Sequence, residues 1–209
     1  MIKKHRVEKF IEFFSKTLPE AKTELNYTDA FQLTVAVVLS AQCTDKRVNM
    51  ITPALFEALP NPEVMAEASV DYIYQFIKSC SYPRSKAKHL SGLSKMLVSD
   101  FNSEIPKDLE LLQKLPGVGR KTANVVGSVY FNIPAMPVDT HVFRVSERIG
   151  LTTNAKNPLQ CELQLLKLFP EEKLNLAHHW LILHGRYICK SRRAECEKCG
   201  ITSICKQYN

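Results

Sequence analysis

Apolar residues recur along this chain at three- and four-residue spacing, and strict alternation is nearly absent. Val7, Phe10, Ile11, Phe14 and Leu18 fall on one helical face, and Ala87, Leu90, Leu93 and Leu97 repeat the pattern. The run Ala30 to Leu39 is apolar on most sides and follows a capping residue, Asp29, which predicts a buried central helix. Thr44 or Asp45 can cap the next helix. Further helices are expected over Asp71–Lys78, Asp108–Lys114, Thr140–Ile149, Pro158–Leu168 and Glu171–Leu183, with Pro158 suited to a first turn. Breaks fall at Pro60-Asn61-Pro62, Ser81-Tyr82-Pro83, Pro106 and Ile133-Pro134-Ala135-Met136-Pro137, none long enough to separate independent domains. The pattern predicts a compact, all-α protein.

At 209 residues with 45% apolar composition, the chain can bury a real core. A formal charge of +7 favours a polyanionic partner but does not by itself select one. No stretch approaches the roughly 18 apolar residues of a membrane span. Met1-Ile2-Lys3-Lys4-His5-Arg6 leads into charged amphipathic sequence rather than a signal core, so a cytoplasmic protein without a membrane partner is expected. Seven cysteines are unevenly placed: Cys43, Cys80 and Cys161 are scattered, and Cys189, Cys196, Cys199 and Cys205 crowd the last 21 residues. In a reducing compartment the four clustered thiols read as a metal site, with iron–sulfur and zinc both open by ligand type. The three scattered ones read as small buried hydrophobes. Trp180 lies in the periodic run Leu176, Trp180, Leu183 and is expected in the core. His5, His89, His178, His179 and His184 form no metal-ligand spacing.

The densest chemistry lies in Leu115-Pro116-Gly117-Val118-Gly119-Arg120-Lys121-Thr122-Ala123-Asn124. Gly117 and Gly119 allow positive φ and close backbone approach in a tight turn, and Arg120 opens a second helical run. A helix, this turn and a second helix form a helix-hairpin-helix over about 108–131, a shape that grips DNA backbone without reading bases. Lys121 adds a potential nucleophile, because the positive end of the helix dipole and the adjacent Arg120 disfavour its ammonium form. A neutral lysine can form a Schiff base with a sugar aldehyde, as arginine cannot. Asp139 follows a stiff proline-rich segment; it can accept the lysine proton and stabilise a cationic sugar, or cap the helix beginning near His141.

Leu115 to Asn124, Val138-Asp139-Thr140-His141 and the terminal cysteines together resemble the endonuclease III family, bifunctional DNA glycosylase and abasic-site lyases of the helix-hairpin-helix superfamily, and the likeness runs through nearly the whole chain. The resemblance implies a two-lobed fold: residues 23–133 as a six-helix lobe carrying the hairpin, and 1–22 with 134–209 as a lobe holding a [4Fe-4S] cluster loop, 189–205. It implies catalysis by Lys121 and Asp139, removal of oxidised pyrimidines from double-stranded DNA, β-elimination at abasic sites, and a monomer. The spacing C-x6-C-x2-C-x5-C is the family's cluster pattern, so the cofactor implied is one [4Fe-4S] cluster on Cys189, Cys196, Cys199 and Cys205.

By the same resemblance Gln42 fills the space left by an extruded base. Ser40, Asp45 and His141 line the base pocket, Tyr82 is the wedge, and Gly117, Gly119 and Arg120 grip phosphate. Lys190, Arg192 and Arg193 would meet DNA from the cluster loop. The sequence departs from the family at Pro83, where an aromatic is usual, and at Cys43, where alanine is common. Two other readings stand beside this one. An adenine-excising glycosylase of the same superfamily would lack the lysine, and a non-catalytic helix-hairpin-helix DNA-binding protein would need neither Lys121 nor Asp139.

Overall fold

The computed structural model describes residues 3–209; Met1 and Ile2, part of the N-terminal reading above, lie outside the described residues. All regular structure among the described residues is helical. The chain divides into two compact units, Glu24–Phe131 and Met1–Thr23 with Asn132–Asn209.

In the unit 24–131, α2 (Ala30–Ser40) is the buried centre: Phe31 and every residue from Leu33 to Leu39 are buried. Asp29 caps it, its Oδ1 accepting from the Gln32 amide at 2.8 Å. Around it lie α3 (Asp45–Ala58), α4 (Pro62–Glu67), α5 (Val70–Ile77), α6 (Pro83–Asp100), α7 (Leu109–Leu112) and α8 (Arg120–Tyr130). α2 packs against α3 and α8, and α6 against α4 and α5. Leu33, Leu39, Leu55, Ile73, Leu90, Leu93, Leu97 and Val126 close one continuous core.

This unit holds seven helices where six were expected. The difference is α4, which begins inside the Pro60-Asn61-Pro62 break. There Asn61 is a helix cap accepting from the Val64 amide, and Pro62 takes the first helical position, where its missing N–H costs nothing. The expected helix 108–114 is a single turn at 109–112, because Lys114 and Leu115 bond three residues back and tighten into the following turn.

In the other unit, α1 (Lys3–Thr17), α9 (Thr140–Ile149), α10 (Pro158–Leu166) and α11 (Leu174–Tyr187) enclose a second core with Trp180 at its centre. The indole stacks on Phe14 at 5.9 Å and donates to the Leu18 carbonyl at 2.7 Å, which satisfies its one buried polar group. The helix expected to start at Glu171 begins as a 3-10 turn, Glu171–Lys173, and runs on to Tyr187. Among the described residues no helix is long and apolar enough to cross a membrane.

Burial in α11 has a consequence for acid stability. His179 is buried, and desolvation, followed by the Arg186 charge, lowers its pKa from an ordinary 6.5 to about 4. The folded state therefore keeps this ring neutral over a range where the unfolded chain takes up a proton, so the unfolded state binds more protons and stability falls as pH falls. The loss should begin near pH 6.5 and be complete near pH 4, amounting to on the order of 3 kcal/mol. Urea unfolding of the parent and of His179→Gln between pH 7 and 4 checks this: the variant should show a shallower decline, and an equal slope would refute it.

Candidate functional site

The hairpin turn is built by one hydrogen bond and one conformational requirement. The Val118 amide donates to the Leu115 carbonyl at 3.0 Å across Pro116 and Gly117, and Gly117 has φ +82°. Proline at the second position and a left-handed residue at the third define a type II turn, which calls for glycine at that third place. Space demands it as well, since a Cβ on Gly117 would lie 2.8 Å from Cβ of His89. Gly92, mid-helix in α6, is the other half of this seat: its missing side chain lets the Pro116 ring approach. Leu115 and Val118 are buried and anchor the turn. Thus α6, through His89 and Gly92, fixes the hairpin.

Gly119 differs from the expectation for it. Its φ is −86° in extended backbone, open to any residue, and nothing crowds the position of its absent Cβ. It is the N-cap of α8 and offers no side chain to the first-turn amides. Arg120 and Lys121 then occupy the first two positions of the helix, both exposed, with no acidic residue in that turn.

A second type II turn carries Gln42. The Cys43 amide donates to the Ser40 carbonyl at 3.0 Å, Ala41 has φ −57° and ψ 114°, and Gln42 has φ +52°. Here an exposed glutamine holds the place that favours glycine, at a cost of about 1–2 kcal/mol. Lys86 secures the turn from below: its buried Nζ donates to the carbonyls of Leu39 and Ala41, each at 2.7 Å, neutralising the C-terminal end of α2. Burial lowers the Lys86 pKa. Ser81 Oγ donates to the Gln42 carbonyl at 2.6 Å and so ties in the loop before α6. At the end of that loop Tyr82 is also left-handed, φ +54°, and its ring is 66% exposed. Pro83 takes the first position of α6, and Tyr82 caps it without a side-chain hydrogen bond. Arg84 lies over the Tyr74 ring at 4.8 Å and pairs with Asp71 at 3.5 Å.

Ser40 is half-buried and returns its hydroxyl to the Val37 carbonyl at 2.8 Å. Asp45 stands in the first turn of α3, where a carboxylate suits the helix dipole. All of these residues, from Ser40 to Lys121, belong to the unit 24–131.

The remaining candidates belong to the other unit. Asp139 caps α9, and its Oδ1 accepts from both the His141 and Val142 amides at 2.8 Å; neither bond uses Oδ2. His141 is half-buried against Gly185 of α11, with its Nδ1 3.2 Å from Arg144 Nη2. Arg144 also donates to the carbonyls of Gly185 and Cys189, at 2.9 and 3.1 Å. One turn on, Arg148 donates to the carbonyls of Lys190 and Ser191, at 2.8 and 2.9 Å, and lies 3.5 Å from the Cys189 sulfur. These two arginines organise the start of the cysteine loop.

Burial first, and then the sulfurs of Cys205, Cys189 and Cys196, push the Cys199 thiol up, while the Ile201 backbone amide pulls it down. The four thiols are thus electrostatic neighbours, a donor set that suits a cationic iron–sulfur core, with a thiolate for each iron. Among the described residues no three Cys, His, Asp or Glu side chains group to hold a single metal ion. Lys190 is salt-bridged to Glu195, whose carboxyl is held down at about 2 by Lys190 and then Lys198. Arg192 and Arg193 are exposed.

Lys86, Gly92, Arg144 and Arg148 were not singled out by the sequence, which read Ser81 only as part of a break and His89 only as a histidine without metal-ligand spacing. A glycine inside a helical pattern and arginines at i, i+4 were the only signals, and both are common.

A two-unit helical fold with this hairpin defines a class, and the family of HhH-GPD superfamily base excision DNA repair proteins matches residues 35–171, more than half of the chain. Endonuclease III of Rickettsia felis is 50% identical over 97% of this chain and 95% of its own length. That of Bacillus subtilis is 42% identical over 99% and 94%. A solved structure of a trapped endonuclease III–DNA covalent intermediate, an estranged-adenine complex, superposes with a TM-score of 0.94 at 41% identity, covering 100% of this chain and 98% of that one. The chain belongs to the endonuclease III family.

The two hairpin glycines should respond unequally to substitution. Gly117→Ala meets both the left-handed backbone and His89 and should lower stability by about 2–3 kcal/mol. Gly119→Ala should stay within about 1 kcal/mol of the parent. Urea midpoints measure both, and equal losses would contradict the turn geometry.

Proposed function

We propose that Lys121 and Asp139 carry the chemistry of this base excision repair enzyme, a DNA glycosylase and abasic-site lyase, and that its substrates are oxidised pyrimidines and abasic sites in duplex DNA. The observation that supports this most is the first turn of α8. Two cations in the first turn oppose the helix dipole, and a glycine cap gives the turn no side-chain anion. Such a start suits a phosphate, and a lysine in that turn is of a residue type that can act as a nucleophile.

The damaged nucleotide leaves the stack, Gln42 enters the vacated space and Tyr82 wedges the opposite side. Two exposed residues in left-handed backbone on hydrogen-bonded loops fit that task, since strain of this kind persists where function requires it. Ser40, Asp45 and His141 contact the extruded base, while Gly117, Gly119, Arg120, Lys190, Arg192 and Arg193 meet the backbone. The Lys121 amine attacks the anomeric carbon as the base departs with its bonding electron pair. Asp139 takes the lysine proton through the oxygen that the helix cap leaves uncommitted and stabilises the cationic sugar. The aminal so formed opens to an imine as the bond from the anomeric carbon to the ring oxygen breaks and that oxygen takes up a proton; the imine acidifies the neighbouring sugar carbon, and loss of that proton expels the 3′ phosphate by β-elimination.

Cys189, Cys196, Cys199 and Cys205 hold a [4Fe-4S] cluster, which when bound supplies a rigid brace for the loop presenting Arg192 and Arg193. The protein acts as a monomer in the cytoplasm.

Borohydride should trap the parent protein covalently on abasic duplex DNA. Lys121→Gln should lose trapping by at least roughly a thousandfold, while keeping DNA affinity within about tenfold. Equal trapping by the variant would reduce the hairpin to a DNA grip. For the cluster, purified protein should be brown, with iron and sulfide in comparable amounts, and Cys199→Ala should lose the visible absorbance. A colourless, zinc-loaded protein would overturn the assignment.

A further inference from the structure

We propose that Cys43 and Cys80 close into a reversible disulfide that locks the two loops bearing Gln42 and Tyr82 and slows base extrusion. The two sulfurs lie 3.7 Å apart although 37 residues separate them in sequence. Bond formation requires them to close to about 2 Å, and both cysteines stand in loops rather than in helices. Cys43 directly follows Gln42, and Cys80 stands two residues before Tyr82. The Ser81–Gln42 hydrogen bond already joins the same loops, so a covalent bond would replace a yielding link with a fixed one. The third scattered cysteine, Cys161, is buried in α10 beside Ser146 and Thr152.

The pair also has an internal order. Cys43 is half-buried and open to a small reagent, whereas Cys80 is buried. Burial, and then Cys43, raise the Cys80 thiol to about 11. The Lys86 charge opposes this rise at Cys80. Cys43 is therefore the attacking thiol and Cys80 the resolving one; proximity offsets the small thiolate fraction of Cys80. With a low-molecular-weight disulfide as oxidant, the Cys43 thiolate displaces one thiolate and forms a mixed disulfide. The Cys80 thiolate then attacks the Cys43 sulfur and expels the second. Two protein thiols are oxidised, one disulfide is reduced to two thiols, and the two protons end on those thiols.

The cross-link itself depends only on the sulfur geometry, whereas its effect on DNA rests on the proposed roles of Gln42 and Tyr82. The test treats the cluster-loaded protein with oxidised glutathione, maps non-reduced peptides, and follows single-turnover base release from a duplex with one oxidised pyrimidine. Strand cleavage at a preformed abasic site, which has no base to extrude, is measured in parallel. A Cys43–Cys80 peptide should appear, base release should slow roughly tenfold, abasic-site cleavage should change less than about threefold, and reductant should restore the rate. Cys43→Ala should keep the parent rate and lose the response. No cross-linked peptide, or a cross-link without slower base release, overturns the proposal. Gln42→Ala distinguishes the two failures: if it releases base as fast as the parent, the reading of the loops fails, and if it is slower, only the latch does.

Discussion

A helix begins with backbone N–H groups that have no partner within it, and the way each start is satisfied organises the unit 24–131. Asp29, Thr44, Asn61, Ser69 and Asp108 cap α2, α3, α4, α5 and α7 with a side-chain oxygen. The two helices of this unit capped without a side chain are α6, at Tyr82, and α8, at Gly119. A polar cap there would supply the negative end that a phosphate brings. Five of the seven helix starts are thus stabilised by a side chain of the unit itself, and the other two lie at the loop that carries Tyr82 and at the hairpin.

One helix carries much of the positioning in that unit. α6 supplies Lys86 beneath the Gln42 turn, His89 against Gly117 and Gly92 against Pro116. Both type II turns therefore rest on a single rigid element, one stabilised by a buried ammonium and the other by close steric contact. The buried charge is acceptable because two carbonyls at the end of α2 solvate it, replacing water with oriented dipoles.

In the other unit, electrostatics does comparable work around the cysteines. Arg144 and Arg148 hold the backbone from Gly185 to Ser191 through carbonyls, and Glu195 draws in Lys190 and Lys198. Asp139 shows the same economy, with both helix-capping bonds on one oxygen.

The sequence by itself determined the all-helical class, most helix positions, the burial of α2 and Trp180, the hairpin, and the residue types able to carry the chemistry. These are local properties: a period of 3.6, a capping side chain, a Pro-Gly pair, thiols at short spacing. It misread Pro60-Asn61-Pro62 as a plain break, because proline signals a stop and a first helical turn equally well, and it allowed positive φ at both hairpin glycines without distinguishing them. Only the tertiary structure decided that Gly117 alone needs the left-handed backbone, that Gln42 and Tyr82 are strained and linked through Ser81, that Lys86 is buried under the turn, and that Cys43 meets Cys80. Each of those facts depends on what a distant segment places next to a residue, and side-chain periodicity carries no record of such neighbours.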